Sequence, residues 1–262
     1  MIFDLYRHRG YILSTALADV RTQYAGSAMG VIWNVLQPLA MIFVYWAVFS
    51  GIMKSRGVGL GDVPGGYAVY LCSALLPWLA FGECLSRGTN TFINKAGYLR
   101  KLPIPEQVFM AQTALGALIG LAISYSLLLV IYQLLGGDPS WRWVLLPICL
   151  TLLVATGFGF GLALGTINVF IRDMGQIVPI LIRLGFWGYP IVYDITMVPP
   201  WFQKAIELNP VYPYLEASRD LLIRGEVPAL TQWLLMVGWA MLSMTIGSIV
   251  LYRLRRELRD VI

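Results

Sequence analysis

Six stretches of this chain are so apolar, and so long, that they leave it little choice of solvent. A helix needs roughly 20 apolar residues to cross a hydrocarbon layer of about 30 Å. The runs Met29–Met53, Gly65–Leu85, Val108–Leu135, Trp143–Ile171, Gln176–Tyr193 and Leu230–Tyr252 meet or approach that length, the fifth being the shortest. Hydrophobic residues make up 58% of the 262 and charged ones only 13%. That is more apolar surface than one soluble core of this size can hide. The chain is therefore predicted to be an all-α integral membrane protein with six transmembrane helices, a single transmembrane domain over residues 1–262.

Basic residues orient it. With both ends inside, twelve of the 19 Lys and Arg face the cytoplasm, six face outward, and Arg183 lies within a span. The positive-inside rule then puts both termini in the cytoplasm of a multi-pass protein. The net charge of +5 fits a basic face against anionic membrane lipids and calls for no nucleic acid. Arg7–Arg9, a short apolar run and Ala16-Leu17-Ala18 have the outline of a signal peptide. The run is too short, however, and cleavage there would split an amphipathic stripe, so none is expected.

In that stripe Tyr6, Leu13, Leu17, Val20 and Tyr24 recur at helical spacing, while Arg7, His8, Arg9, Asp19 and Arg21 fall mostly off it. Residues 1–25 are thus read as an amphipathic interface helix, joining span one across Asp19–Pro38 without a loop. Spans one to five occupy 29–193. The segment 194–228 is half apolar but broken by Pro199, Pro200, Pro210, Pro213 and Pro228. Val198–Leu208 and Tyr212–Ile223 are expected as short helices turning at Asn209-Pro210. We read them as two re-entrant helices between spans five and six, with an ordinary outer cap as the alternative. Span six covers 230–252 and a cytoplasmic tail 253–262. Gly26-xxx-Gly30, Gly116-xxx-Gly120 and Gly157-xxx-Gly161-xxx-Gly165 predict close helix packing.

Chemistry has few candidates. There is no GxxxxGK[ST] loop to cradle a nucleotide phosphate, one histidine (His8), and three cysteines without paired spacing. No metal site is expected. Glu83 stands four residues before Arg87, which predicts a helical ion pair. Arg183, a charge within a span, is a candidate for an anionic group, with a structural pair or snorkelling as the plainer reading. Aromatic residues gather in span one (Trp33, Phe43, Tyr45, Trp46, Phe49) and span five (Phe186, Trp187, Tyr189, Tyr193). Their apolar faces suit the C–H faces of sugars, although Trp and Tyr also serve as ordinary interfacial anchors.

Arg21-Thr22-Gln23-Tyr24, Ser27, Gly30, Trp33 and Pro38 resemble the R-x-x-Y-x-x-S-x-x-G-x-x-W-x-x-x-x-P opening of ATP-binding-cassette polysaccharide exporter permeases (type 2, the O-antigen exporters among them). Leu76-Pro77-Trp78 with Phe81, Lys101-x-Pro103-x-Pro105, Asn168-Val169-Phe170-Ile171-Arg172-Asp173, Tyr189-Pro190-Ile191-Val192-Tyr193, Asn209-Pro210 and Arg219-Asp220 follow in the family's order. Gln23 departs from the basic residue of many members.

The resemblance implies a homodimer in a bacterial cytoplasmic (inner) membrane. Two copies of a separate ATPase subunit would bind ATP and Mg, so that this chain has no cofactor and is no enzyme itself. It further implies a coupling helix at Ala96–Lys101, with Gly97, Tyr98, Leu99, Arg100 and Lys101 on the ATPase and Asp19 and Arg21 beside it. The cargo would be a polyprenyl-pyrophosphate-linked glycan moving past Trp33, Tyr45, Trp46, Arg183, Phe186, Trp187 and Tyr189. An outer gate would involve Pro199, Trp201, Asn209 and Pro210. A drug or lipid exporter permease is the alternative. A membrane glycosyl- or phosphotransferase is more distant, since it needs clusters of Asp or His at the membrane edge.

Overall fold

The computed structural model describes residues 2–23, 26–52 and 65–261, so part of the loop predicted at Ser50–Pro64, and Tyr24 of the stripe, lie outside the described residues. Those residues form helices and turns only: α1 (Ile2–Arg7), α2 (Arg9–Thr22), α3 (Trp33–Ile52), α4 (Gly66–Asn94), α5 (Ala96–Lys101), α6 (Glu106–Leu134), α7 (Leu146–Phe170), α8 (Met174–Gly188), α9 (Pro200–Glu207), α10 (Tyr212–Arg219) and α11 (Leu230–Val261). Among the described residues, five helices are long and apolar enough to cross a membrane: α3, α4, α6, α7 and α11, the first and fourth each led in by a 3₁₀ turn.

The predicted fifth span, Gln176–Tyr193, is the one that differs. Its helix, α8, has 15 residues, about 22 Å at 1.5 Å per residue. Pro190 ends it: the residue before a proline is pushed out of helical geometry, and Tyr189 is extended at φ −104°, ψ 150°. Elsewhere helices overrun the predicted spans. α4 continues to Asn94 and α11 to Val261.

α4 is the axis of the bundle. Its buried residues run along nearly its whole length, and α3, α6, α7, α8 and α10 all pack on it. α11 lies along α7. Glycines of α7 make these contacts close: Gly165 of the predicted stripe faces α4, whereas Gly159, outside that stripe, faces α11. An added Cβ at Gly165 would sit 2.7 Å from the backbone oxygen of Gly88 in α4, and one at Gly159 would run into the Ser243–Met244 backbone of α11.

The other two glycine pairs differ from expectation. Gly26 and Gly30 take positive φ (91° and 49°), and the turn they serve at 26–29 interrupts the passage predicted to have no loop. Gly116 and Gly120 face open space, with nothing within 4 Å of an added Cβ. Alanine should therefore act oppositely at two of these positions. Gly165→Ala pushes against backbone and should destabilise by about 1–3 kcal/mol. Gly120→Ala should be neutral or stabilise by up to about 1 kcal/mol. Thermal unfolding in detergent checks this, and equal midpoints for the two variants would contradict the packing.

Candidate functional site

At the end of the bundle that carries the termini, α1 and α2 lie against the start of α6. Ile12 and Ala16 are the buried face of α2. The predicted stripe is the other face: Tyr6, Leu13 and Leu17 are exposed. α2 thus has two apolar sides, one used by the fold and one left open.

Polar clamps hold it in place. The Gln107 amide donates to Asp4 Oδ2 (2.8 Å) and the Gln112 amide to Asp19 Oδ2 (2.6 Å). Lys95, in the joint between α4 and α5, pairs with the same Asp19 carboxylate at 3.7 Å. Tyr11 lies beside Tyr98 and Asp19, and its hydroxyl is pushed above its ordinary pKa by burial first and then by those two neighbours. Asp19 therefore ties the surface helix to α5. Arg21, one turn end later, is exposed.

α5 spans Ala96–Lys101, the range predicted for the coupling helix. Leu99 anchors it in the core, while Gly97, Tyr98, Arg100 and Lys101 point outward. Pro103 and Pro105 end it as expected. Next to it, Glu106 is fully buried and pairs with Arg255 of α11 at 2.8 Å. The predicted pair of Arg87 with Glu83 forms at 2.7 Å.

The aromatic residues divide into two groups. Tyr45 of α3, and Phe186 and Tyr189 at the end of α8, pack on one cluster built around Tyr70, Trp78 and Phe81 of α4. Trp33, Trp46, Arg183, Trp187, Pro199 and Trp201 are exposed. Trp187 meets Phe186 edge-on, with ring centroids 5.1 Å apart.

At the opposite end, residues distant in sequence converge on Tyr189. Its ring lies 4.7 Å from Trp78, and its hydroxyl donates to Asn209 Oδ1. Asn209 also caps the turn before α10 by accepting from the Val211 N–H at 3.2 Å, with Pro210 half-buried beside it. Tyr189, predicted for the path, and Asn209, predicted for the gate, thus meet in one contact. α10 itself enters the bundle: Tyr214 is fully buried, donates to the Met236 carbonyl at 2.6 Å and meets the Thr156 hydroxyl at 2.6 Å.

Arg219, of the Arg219-Asp220 motif, is buried in this end. It donates to the Ile191 carbonyl (2.9 Å), pairs with Glu216 (3.6 Å), and lies 3.9 Å over the Tyr70 ring. Arg224 bridges Glu216 and Asp220, each at 2.5 Å. Burial alone would raise the Asp194 carboxyl, but the Thr196 N–H and hydroxyl, with Arg219 and Arg224 nearby, hold it below the ordinary carboxylate value. Asp220 is raised, because burial outweighs Arg224 there. Lys95, Gln107 and Gln112 carry no comparable signal in the sequence. Amides carry no charge pattern, and a lysine near a membrane surface reads as solvated.

Asn168, from the N-x-x-x-R-D motif, is a brace. Its amide donates to the Thr89 carbonyl (2.8 Å) and its oxygen accepts from the Gly175 N–H (2.9 Å), fastening the α7–α8 turn to α4.

Comparison with known proteins bears on these features. The family model described as ABC-2 type transporter matches residues 12–223. The chain is 24% identical over 230 residues to the O-antigen export system permease protein RfbA of Myxococcus xanthus, covering 87% of this chain and 86% of that one. It is 27% identical over 208 residues to the protein of the same name from Klebsiella pneumoniae, covering 79% and 78%. To the polysialic acid transport protein KpsM of Escherichia coli it is 22% identical over 242 residues, 92% of each.

Proposed function

Since this chain belongs to the ABC-2 type transporter family, we propose that it is the permease subunit of an ATP-driven exporter carrying a polyprenyl-pyrophosphate-linked polysaccharide across the bacterial inner membrane. Relatives named for O-antigen export and polysialic acid transport support the cargo class. The mechanism rests above all on the α2–α5 unit. Asp19 joins the surface helix to α5 through Lys95, and α5 turns Gly97, Tyr98, Arg100 and Lys101 toward a partner.

In this reading two copies of an ATPase subunit, holding ATP and Mg, seat on α5 of two protomers. Both termini are cytoplasmic, as the basic residues argue. α8 is the sixth crossing, completed by the α9–α10 pair, which turns back within the outer leaflet. The burial of Tyr214 between α7 and α11 supports that re-entry. The exposed apolar faces of α3 and α8 meet across the dimer and line the path with Trp33, Trp46 and Trp187, with the half-buried Tyr45, Phe186 and Tyr189 packed behind them. Closure of the ATPases moves α2 and α5 together and parts α3 from α8. Pro199, Trp201, Asn209 and Pro210 close the outer end, linked to the path by the contact between Tyr189 and Asn209.

Deleting the gene should remove the surface polysaccharide and leave lipid-linked glycan inside the cell, with export restored by the wild-type chain. Unchanged surface glycan would overturn the reading. Arg183 supplies a narrower prediction. It is exposed on an otherwise apolar face of α8, placed to pair with a pyrophosphate. Arg183→Met should lower export roughly tenfold or more, the loss of one charge-assisted contact, with an unchanged melting midpoint. Wild-type export would remove Arg183 from the path.

A further inference from the structure

A cavity of about 420 Å³ lies among α2, α3, α4 and α6, and no residue of α8 lines it. Its wall is mixed: Gln23, Asn34, Gln37, Glu83, Arg87 and Ser124 stand among Val20, Met41, Leu76 and Leu121. Its floor is Gly116 and Gly120, which explains why that glycine pair meets no neighbouring helix. A chain that spends charge sparingly within its spans has placed a carboxylate and a guanidinium here, each side chain 38% exposed.

Its depth follows from α4. That helix has 29 residues, about 43 Å, some 13 Å longer than a hydrocarbon layer. With the excess at the α5 end, Arg87 comes level with the headgroup boundary. Val20 of α2 and Gln23 just after it line the same cavity, which agrees with that level if α2 lies on the membrane surface. Leu79, which lines the cavity, is exposed, so with α4 taken as a span the space opens sideways toward acyl chains.

We propose that this cavity binds the headgroup of a zwitterionic phospholipid bearing a primary amine, of the phosphatidylethanolamine type. Glu83 and Arg87 are paired with each other, but the 2.7 Å contact joins one carboxylate oxygen to one guanidinium nitrogen, so each keeps a further group of its own sign to offer a ligand. A headgroup with both charges answers both: the phosphate takes Arg87 and the side-chain amides, and the ammonium donates to Glu83. A trimethylammonium group has no N–H to give, and a glycerol headgroup has no cation. The volume holds a headgroup, with its chains lying over Leu79.

The test is lipid retention. The purified protein is reconstituted in vesicles with equal parts phosphatidylethanolamine, phosphatidylcholine and phosphatidylglycerol, extracted gently and weighed with its bound lipid by native mass spectrometry. Phosphatidylethanolamine should be enriched about tenfold over either competitor, as one charged hydrogen bond implies. Glu83→Gln should abolish the preference. Gly120→Leu should do so by filling the space, with its fold intact because nothing stands within 4 Å of the new Cβ. Equal retention of the three lipids by wild type overturns the proposal, as does undiminished enrichment in both variants. Loss of the partner copy in Gly120→Leu also overturns it, by assigning the cavity to a contact between protomers.

Discussion

An Arg219→Met chain should unfold roughly 5–10 °C below wild type, the shift expected when a buried charge network loses one member at about 3–5 kcal/mol. The side chain is almost wholly buried, and it holds three elements at once. It donates to the carbonyl of Ile191, just after the end of α8, pairs with Glu216 of its own helix, and stacks on Tyr70 of α4. Methionine keeps the volume but leaves the Ile191 carbonyl without this donor and removes the stack. Arg219→Lys is the sharper control. A lysine keeps the charge but cannot reach a carbonyl and a carboxylate while lying flat on a ring, so its midpoint should fall between the two. Thermal unfolding of the detergent-purified protein, followed by tryptophan fluorescence, gives the ranking. A wild-type midpoint for Arg219→Met would sink this account of the α8–α10 junction.

Reversing two charges on α5, with Arg100→Glu and Lys101→Glu together, should leave the fold intact and disable the transporter. Both side chains are exposed and the helix is anchored by Leu99, so the effect on stability should stay within about 0.5 kcal/mol. Against a partner that meets basic side chains, like charges disfavour docking by several kcal/mol, or about 100-fold and more in affinity. Co-purification of the ATPase and its hydrolysis rate in the complex both report this. Wild-type stoichiometry and rate would remove α5 from the contact.

What was legible in the chain was legible for local reasons. α5 could be bounded because Pro103 and Pro105 stop a helix from within a few residues, and the Asn209-Pro210 turn was marked in the same way. The long spans announce themselves by composition. Arg219 did not: a basic residue in a proline-rich connection reads as solvated, and only its approach to Tyr70, more than a hundred residues away, makes it a buried support. The Gly116–Gly120 pair has the same spacing as the α7 stripe. Spacing states which side of a helix is small, and the neighbours alone decide whether that side is covered or hollow. The amphipathic stripe of α2 identified a real face but not the buried one, because Ile12 and Ala16 offer too little contrast to stand out. The convergence of Trp78, Tyr189 and Asn209 joins three motifs that look independent when read in order.

The close glycine crossings of α7 have a mechanical consequence. With α4 on one side and α11 on the other, both approached backbone to backbone, α7 turns these three helices into a keel with little slack between side chains to absorb a push. α3 packs on α4 and α6, and α8 on α4 and α7. If α5 receives a push from an ATPase, as proposed, α4 would carry it toward both α3 and α8 with little loss to side-chain rearrangement.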